Sequence, residues 1–342
     1  MKLRSGFFDR ALWFALSFLA SWVAEAHHAA TEYDFEKVTE IEGTLIEVKW
    51  QNPHVRVKVR AAQPSSAPLV WEIEGAAISI LRRTNVSSSD LRVGERVRVA
   101  GHASRRSTSR MFGKNLLRPD GTELLFHPDS KPRWRATALG NDSAWYSKDK
   151  LEVSQAGIFR VWSSHLDDFF LMPDREPSLN AAAREIVARW DHIHQSVARD
   201  CEPVGMPLIM DQPYPMEIAK AGDRLLLRFE ANDVVRTVYM RAQDRPLAHK
   251  SIHGRSTGRW EGETLIVETD GVTWPYLDHA GAPLSERARF TEKFTPTIDG
   301  TRLQYVIVIE DQTYLTQPLT MRREWLARPN EKVVPYDCAK SP

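Results

Sequence analysis

Apolar and polar residues alternate with a period of two along most of this chain, and helical periodicity appears in only a few places. Residues 38–50 (VTEIEGTLIEVKW) alternate around Ile41, Gly43 and Leu45 and are rich in β-branched side chains. Asn52-Pro53 is a turn signal, residues 54–59 alternate cleanly, and residues 71–74 supply a third strand. Residues 76–83 (AAISILRR) lose the alternation and have helical composition. Strands resume over 93–101 and in a hairpin over 111–126 about Pro119-Asp120-Gly121. Three strands, a helix and two more strands is the order of an OB-like small barrel, predicted here over residues 27–127.

Residues 128–156 break the pattern with Pro, Lys, Arg and Asp, which predicts a connector between domains. Residues 180–197 carry the clearest helical stripe, with Ile186, Val187, Trp190, Ile193, His194 and Val197 on one face. Strands follow over 223–230, 234–240, 264–269, 288–294, 302–310 and 313–320. Gly222-Asp223, Asn232-Asp233, Glu261-Gly262 and Asp299-Gly300 punctuate them at hairpin spacing. The chain is therefore expected to be mainly β. An N-terminal OB-like small barrel precedes a larger antiparallel β-barrel or bent sheet with one covering helix, over residues 157–342.

The start of the chain reads differently. Lys2, Arg4 and Arg10 precede an apolar run over 11–23, and Ala24-Glu25-Ala26 places small residues where a signal peptidase reads. This predicts a signal peptide over 1–26, a mature chain from His27, and export to the periplasm or beyond the cell. The run is shorter than the ~20 residues that span a bilayer, and no second one follows, so no integral span is expected after leader removal. Lys plus Arg number 46 against 45 Asp plus Glu. Nucleic-acid binding relies on a cationic surplus to displace counterions, so that function class is not expected. The two cysteines, Cys201 and Cys338, are expected to pair in an oxidising compartment. For a loop this long, loop-closure entropy gives such a bridge on the order of 4–5 kcal/mol.

His27-His28, Tyr33-Asp34, Val38-Thr39, Glu42-Gly43 and above all Trp50-x-Asn52-Pro53-His54 resemble an uncharacterised secreted bacterial family, domain of unknown function 6152, over about residues 26–126. The second half resembles an uncharacterised region of exported proteins through Cys201-Glu202-Pro203-Val204-Gly205-Met206-Pro207, Gly258-Arg259-Trp260-Glu261-Gly262-Glu263-Thr264-Leu265 and Tyr336-Asp337-Cys338. These resemblances imply a compartment and an architecture, and no reaction.

Several constellations have chemical potential. A chain beginning at His27 offers its α-amine and imidazole to one metal ion, and His28 or His54 can complete a nitrogen set suited to Cu(II), as in a histidine brace; His102 is a further candidate. His192 and His194 point apart on a helix, and His249 and His253 lie in a non-helical stretch. Gly254-Arg255-Ser256-Thr257-Gly258 matches G-x-S-x-G but lacks the strand-turn-helix setting of a nucleophile elbow, and Asp278 and His279 read as loop residues. Asp167-Asp168 and Glu310-Asp311 are carboxylate pairs of a kind that glycoside hydrolysis uses. The aromatic and Met residues of the later strands, with Arg259, Trp260, Trp274 and Tyr276 at a mouth, suit an apolar ligand in a barrel. The expectation is an exported, non-catalytic binder of an apolar small molecule or a protein partner, with no confident cofactor. Copper binding and hydrolysis are the alternatives.

Overall fold

The computed structural model describes residues 32–62, 67–141, 157–164, 175–191, 195–198, 201–246, 250–328 and 330–338. The leader, His27, His28, Asp167, Asp168, His192, His194 and His249 lie outside the described residues.

The first alternating runs form β1 (Thr39–Lys49), β2 (Arg56–Ala61) and β3 (Leu69–Glu74); α1 (Ile78–Arg83) follows, then β4 (Arg96–Ala103), β5 (Arg110–Leu117) and β6 (Glu123–Leu125). Sheet order is β3-β2-β1-β4-β5-β6, and a parallel pairing of β3 with β5 closes five of the strands into a small barrel. Leu45, Val59, Ile73, Leu81, Val99, Met111 and Leu116 fill it. The first part of the expected connector folds back onto this barrel. The buried Glu123 carboxylate accepts backbone N–H groups from Arg133 (2.7 Å), Trp134 (3.0 Å) and Arg135 (2.9 Å), and the Asn115 amide (2.7 Å).

The second unit comprises β7 (Val161–Ser164), α2 (Ala181–Ala188), β8 (Met216–Ala221), β9 (Arg224–Phe229), β10 (Val235–Tyr239), β11 (Arg255–Glu261), β12 (Thr264–Asp270), β13 (Arg289–Pro296), β14 (Arg302–Glu310) and β15 (Leu319–Ala327). Nine strands close in the order β10-β11-β12-β13-β14-β15-β7-β8-β9. Directions cannot alternate all the way round a ring with an odd number of members, so at least one pair must be parallel. That pair is β10–β11, and its register is confined to Val238↔Ser256 and Tyr239↔Thr257. The neighbouring β11–β12 pairing runs the full length of both strands. The seam is thus a short pairing, as short as that of β7 with β8 (Val161↔Glu217 and Trp162↔Met216), and it is the parallel one.

Two expectations change here. The helix predicted over 180–197 stops at Ala188, begins with the Asn180 side chain accepting from Ala183 N (3.0 Å), and leaves Ile186 exposed. Trp190 lies past its end, against the turn at Gly281, where a Cβ would overlap the indole. The strand expected over 313–320 starts instead at Leu319, because Asp311 holds the preceding turn through Thr313 N (3.0 Å) and Ser285 N (2.7 Å). No described helix is long and apolar enough to cross a membrane.

The chain end ties the two barrels together. Asn52 donates its backbone N–H to Asp337 O (3.1 Å) and its side-chain amide to Tyr336 O, while its Oδ1 accepts from Ile78 N (3.2 Å). Tyr336 donates to the Tyr214 hydroxyl (2.9 Å), which in turn reaches Pro53 O (3.3 Å). Arg83 of α1 pairs with Glu331 (2.8 Å) and Ser163. The disulfide Cys201–Cys338 anchors this tail across a separation of 137 residues. The most distinctive motif of the first barrel is therefore its clasp on the second.

Glu230 sits buried at this junction, 3.7 Å from Arg82 and 3.5 Å from Val334 N, and burial pushes its pKa up despite those partners. A raised carboxyl pKa contributes stability below the unfolded value of 4.5 that is lost as pH rises through the folded value. Glu230→Gln is therefore expected to unfold at an equal or higher urea midpoint at pH 7 and to lack that loss, as read from midpoints measured between pH 4.5 and 7.

Candidate binding site at the barrel seam

Strand alternation sends apolar side chains inward over most of the second barrel: Phe290 and Phe294 from β13, Leu303, Ile307 and Ile309 from β14, Met321 and Trp325 from β15. Of the aromatics proposed from sequence to line a cavity, Phe229, Phe290, Phe294 and Tyr305 do point inward, but they pack together. Phe294, Tyr305 and Trp325 have ring centroids 5.0–6.3 Å apart. Their space is core.

Charged residues interrupt this core at the inward parity. Arg236 of β10 and Glu292 of β13 are fully buried and joined by two hydrogen bonds of 3.0 and 2.6 Å. Glu292 also accepts from Tyr305 Oη (2.8 Å) and Thr269 Oγ1 (3.3 Å); Arg236 Nη2 also reaches Ser256 Oγ (3.4 Å) and Thr269 Oγ1 (3.3 Å). Burial alone would lower the guanidinium pKa, and Glu292 outweighs it, so Arg236 stays charged. Next to this pair, the chain after Cys201 enters the barrel as a plug. Met206, Leu208, Ile209 and Met210 are buried, with a 3₁₀ turn at Leu208–Asp211. Met210 bridges the two interior arginines. Its sulfur accepts from Arg236 (3.0 Å), its carbonyl from Arg323 (3.1 Å), and Arg323 also pairs with Asp211 (3.0 Å) and Ser164 (2.7 Å).

At the seam, where β10 and β11 part, a pocket of about 150 Å³ opens in the wall. Val235, Arg236, Thr237 and Tyr239 line one side, and Ser251, His253, Gly254, Arg255 and Ser256 the other. Arg236 and Ser256 are the buried members of this lining, and the enclosed Nε–H of Arg236 has no acceptor among the described residues. A buried donor left unmade is costly, and such groups in native proteins call for an explanation. His253 is held by its backbone and ring. Its Nε2 lies 3.0 Å from Val204 O, and because a carbonyl only accepts, Nε2 carries the proton. Burial, with the nearby Arg236 charge, drops the imidazole pKa to about 4, so the ring is neutral at neutral pH. The plug shapes this wall through Met206 N to Ile252 O (2.9 Å), and Gly205 lies so close to Trp274 that a Cβ would overlap it.

The residues expected at a mouth do not gather in one place. Trp260 pairs with Leu265 at one end of the β11–β12 hairpin, exposed and edge-on to Phe159, with Arg259 held by Glu261 (3.0 Å) and Glu268 (2.6 Å). Trp274 and Tyr276 follow the other end, where Arg255 pairs with Asp270, about 17 Å away at ~3.4 Å per residue. There they form an edge-to-face cluster with Trp190, at 5.5 and 5.7 Å. Asp278 locks the adjoining turn by accepting from Ala280 N and Ala282 N (2.9 Å each) and pairing with Arg175. Ser256 lies within β11, bonded to Thr269 (2.8 Å), so it stands on a strand rather than at an elbow. His54 donates from Nδ1 to Gly75 O (3.1 Å) and its Nε2 stands 3.8 Å from Glu74; His102 is held by Asp34 O and Lys37 O. Among the described residues no three His, Cys, Asp or Glu side chains cluster as a metal site.

Sequence reading missed Arg236 and Glu292, and weighed His253 only as half of a weak metal pair with His249. The signal for the first two was a charge at the inward parity of an apolar strand, Arg236 between Val234 and Val238 and Glu292 between Phe290 and Phe294. No curated protein matches the chain. Residues 16–112, a stretch that contains the clasp motif Trp50-x-Asn52-Pro53-His54 and ends within β5, match the family of unknown function DUF6152.

Proposed function

We propose that the protein is an exported, non-catalytic binding protein whose second barrel takes a small polar molecule at the β10–β11 seam. One observation carries this reading: the wall opens at the parallel seam into a pocket of about 150 Å³ lined by the polar residues Thr237, Ser251, His253 and Arg255. The interior is filled by side chains, so a polar ligand at the seam fits better than the apolar guest expected from aromatic content. Ser256 favours no hydrolytic role, since its hydroxyl is shared with Thr269 and Arg236 while the Nε2 proton of His253 is committed to Val204. Ser256→Ala is expected to leave binding within about threefold, because the hydroxyl supports Arg236 only through a 3.4 Å contact.

The test is a ligand-observed NMR screen of neutral and charged polar fragments against wild type and Thr237→Trp. That change fills the pocket from the half-exposed face of β10 without touching the Arg236–Glu292 pair. Hits lost in Thr237→Trp support the reading; hits unaffected by it, or none at all, contradict it.

A second reading, copper held by a mature His27 terminus, has one observation in its favour. Near the parallel seam of the first barrel, Glu32 pairs with Arg110 (3.3 Å) and Tyr33 donates to Glu74 (3.5 Å), the carboxylate that also faces His54. In sequence, His27 lies five residues before Glu32. Adding one residue before His27 is expected to weaken Cu(II) affinity by tenfold or more; equal affinity in a competition titration rules this reading out.

A further inference from the structure

We infer that the molecule bound at the seam is a short neutral peptide, which pairs its amide groups with the open edge of β10 as an added strand. This rests on the reading above and adds the ligand's chemical class. Strand geometry supplies the edge. Successive residues of a strand turn their backbone N–H and C=O groups toward opposite neighbours. Phe229 N donates to Val234 O (2.8 Å), and the register continues through Arg236↔Leu227 and Val238↔Leu225. Val234, Arg236 and Val238 thus direct their backbone groups at β9, and Val235, Thr237 and Tyr239 direct theirs at the seam. On that side β11 joins only at Val238↔Ser256 and Tyr239↔Thr257, a register that uses Tyr239 and the Thr237 carbonyl. Both backbone groups of Val235 and the N–H of Thr237 lie beyond it, with no partner among the described residues.

The ladder stops because the approach to β11 turns away. Gly254 stands at positive φ (68°), its N–H goes to Ser251 O (3.0 Å), and its carbonyl takes the Ser251 hydroxyl (3.1 Å). Ser251 itself bridges to Val272. The pocket is the gap this leaves, with Val235 and Thr237 on one side and Ser251, His253 and Gly254 on the other. Two N–H groups and one C=O along an extended edge are what a further strand pairs with. Charge does not select an ion in its place. Arg236 is matched by Glu292 (2.6 Å), and Arg255 (2.5 Å) and Arg245 (3.3 Å) by Asp270. Arg241 has Asp223 and Asp244, Lys250 has Glu286, and Arg224 lies over the Tyr239 ring. A volume of about 150 Å³ is the space of about five water molecules at ~30 Å³ each, which limits the enclosed part to about two amide units with small side chains.

The experiment is isothermal titration of the chain from His27 onward with acetyl-trialanine amide, and with the same peptide N-methylated at every backbone nitrogen. Each is run against wild type and Thr237→Trp. The unmethylated peptide is expected to bind tighter by about tenfold or more, because methylation removes the donors that Val235 O would accept. Thr237→Trp is expected to abolish its signal, and the Thr237 backbone ¹H–¹⁵N correlation of wild type is expected to move downfield as its N–H gains an acceptor. Equal binding of the methylated peptide, still lost in Thr237→Trp, overturns the strand pairing while the seam remains a binding site. Peptide binding that survives Thr237→Trp or leaves the Thr237 correlation fixed, or an absence of peptide binding, overturns the inference. The fragment screen then decides separately whether the seam binds anything. A circular-dichroism melt of Thr237→Trp matching wild type confirms that lost binding is not lost folding.

Discussion

Arg236→Met is expected to destabilise the second barrel by about 3–5 kcal/mol, and Glu292→Leu by a similar amount, because each leaves the other charge buried without its partner. Tyr305 would offset part of the loss in Arg236→Met, since its hydroxyl still donates to the Glu292 carboxylate at 2.8 Å. The double variant Arg236→Met/Glu292→Leu is expected to recover most of the stability, because removing both charges also removes their desolvation cost. Equilibrium unfolding in urea, followed by tryptophan fluorescence, measures this, with Trp325 and Trp162 buried in the barrel as reporters. A double variant that is as stable as wild type but no longer binds at the seam would show that the pair is kept for recognition rather than for folding. Single variants that each cost under 1 kcal/mol would contradict the buried network as described.

The second large effect concerns the clasp. Reduction of Cys201–Cys338, or the Cys201→Ser/Cys338→Ser variant, is expected to cost on the order of 4–5 kcal/mol for so long a loop. The loss should not be confined to one barrel. The bridge joins the start of the plug, which supports His253 through Val204, to the tail that holds Asn52. Unfolding is therefore expected to split from one transition into two when the bridge is broken, with the first barrel released. Asn52→Ala, which removes the side-chain bonds to Tyr336 and Ile78, should reproduce the splitting with the disulfide intact, at a smaller cost of about 1–3 kcal/mol. Differential scanning calorimetry resolves the two transitions, and a single unshifted transition in both variants would disprove the coupling.

Much of the fold was legible because barrel strands must alternate. The strands at 39–49, 224–229 and 302–310 carry the pattern in plain form, and Gly222, Gly262 and Gly300 sit at positive φ in the turns that the hairpin spacing indicated. The missed strands are instructive. β11 reads RSTGRWE, whose inward positions are Ser256 and Gly258, because Arg236 and the Val238 and Met240 side chains fill the space a larger residue would take. β8 presents Met216 and Ile218 inward and then runs out into exposed residues. The stripe at 180–197 misled because Trp190 is apolar for the sake of the Gly281 turn and not for a helix face. Candidate site residues were harder to read. Arg259, Trp260, Trp274 and Tyr276 are close in sequence, but a hairpin carries its two ends apart. Arg236, His253 and Glu292 are remote in sequence, and only barrel closure makes them neighbours.

The account turns on the pocket at the β10–β11 seam, which the backbone ¹H–¹⁵N correlations of Thr237 and Ser251 report by NMR. Titration with a polar fragment that binds wild type and not Thr237→Trp is expected to move both correlations saturably. Correlations that stay fixed while the fragment binds would place the ligand elsewhere and contradict the seam as the binding site.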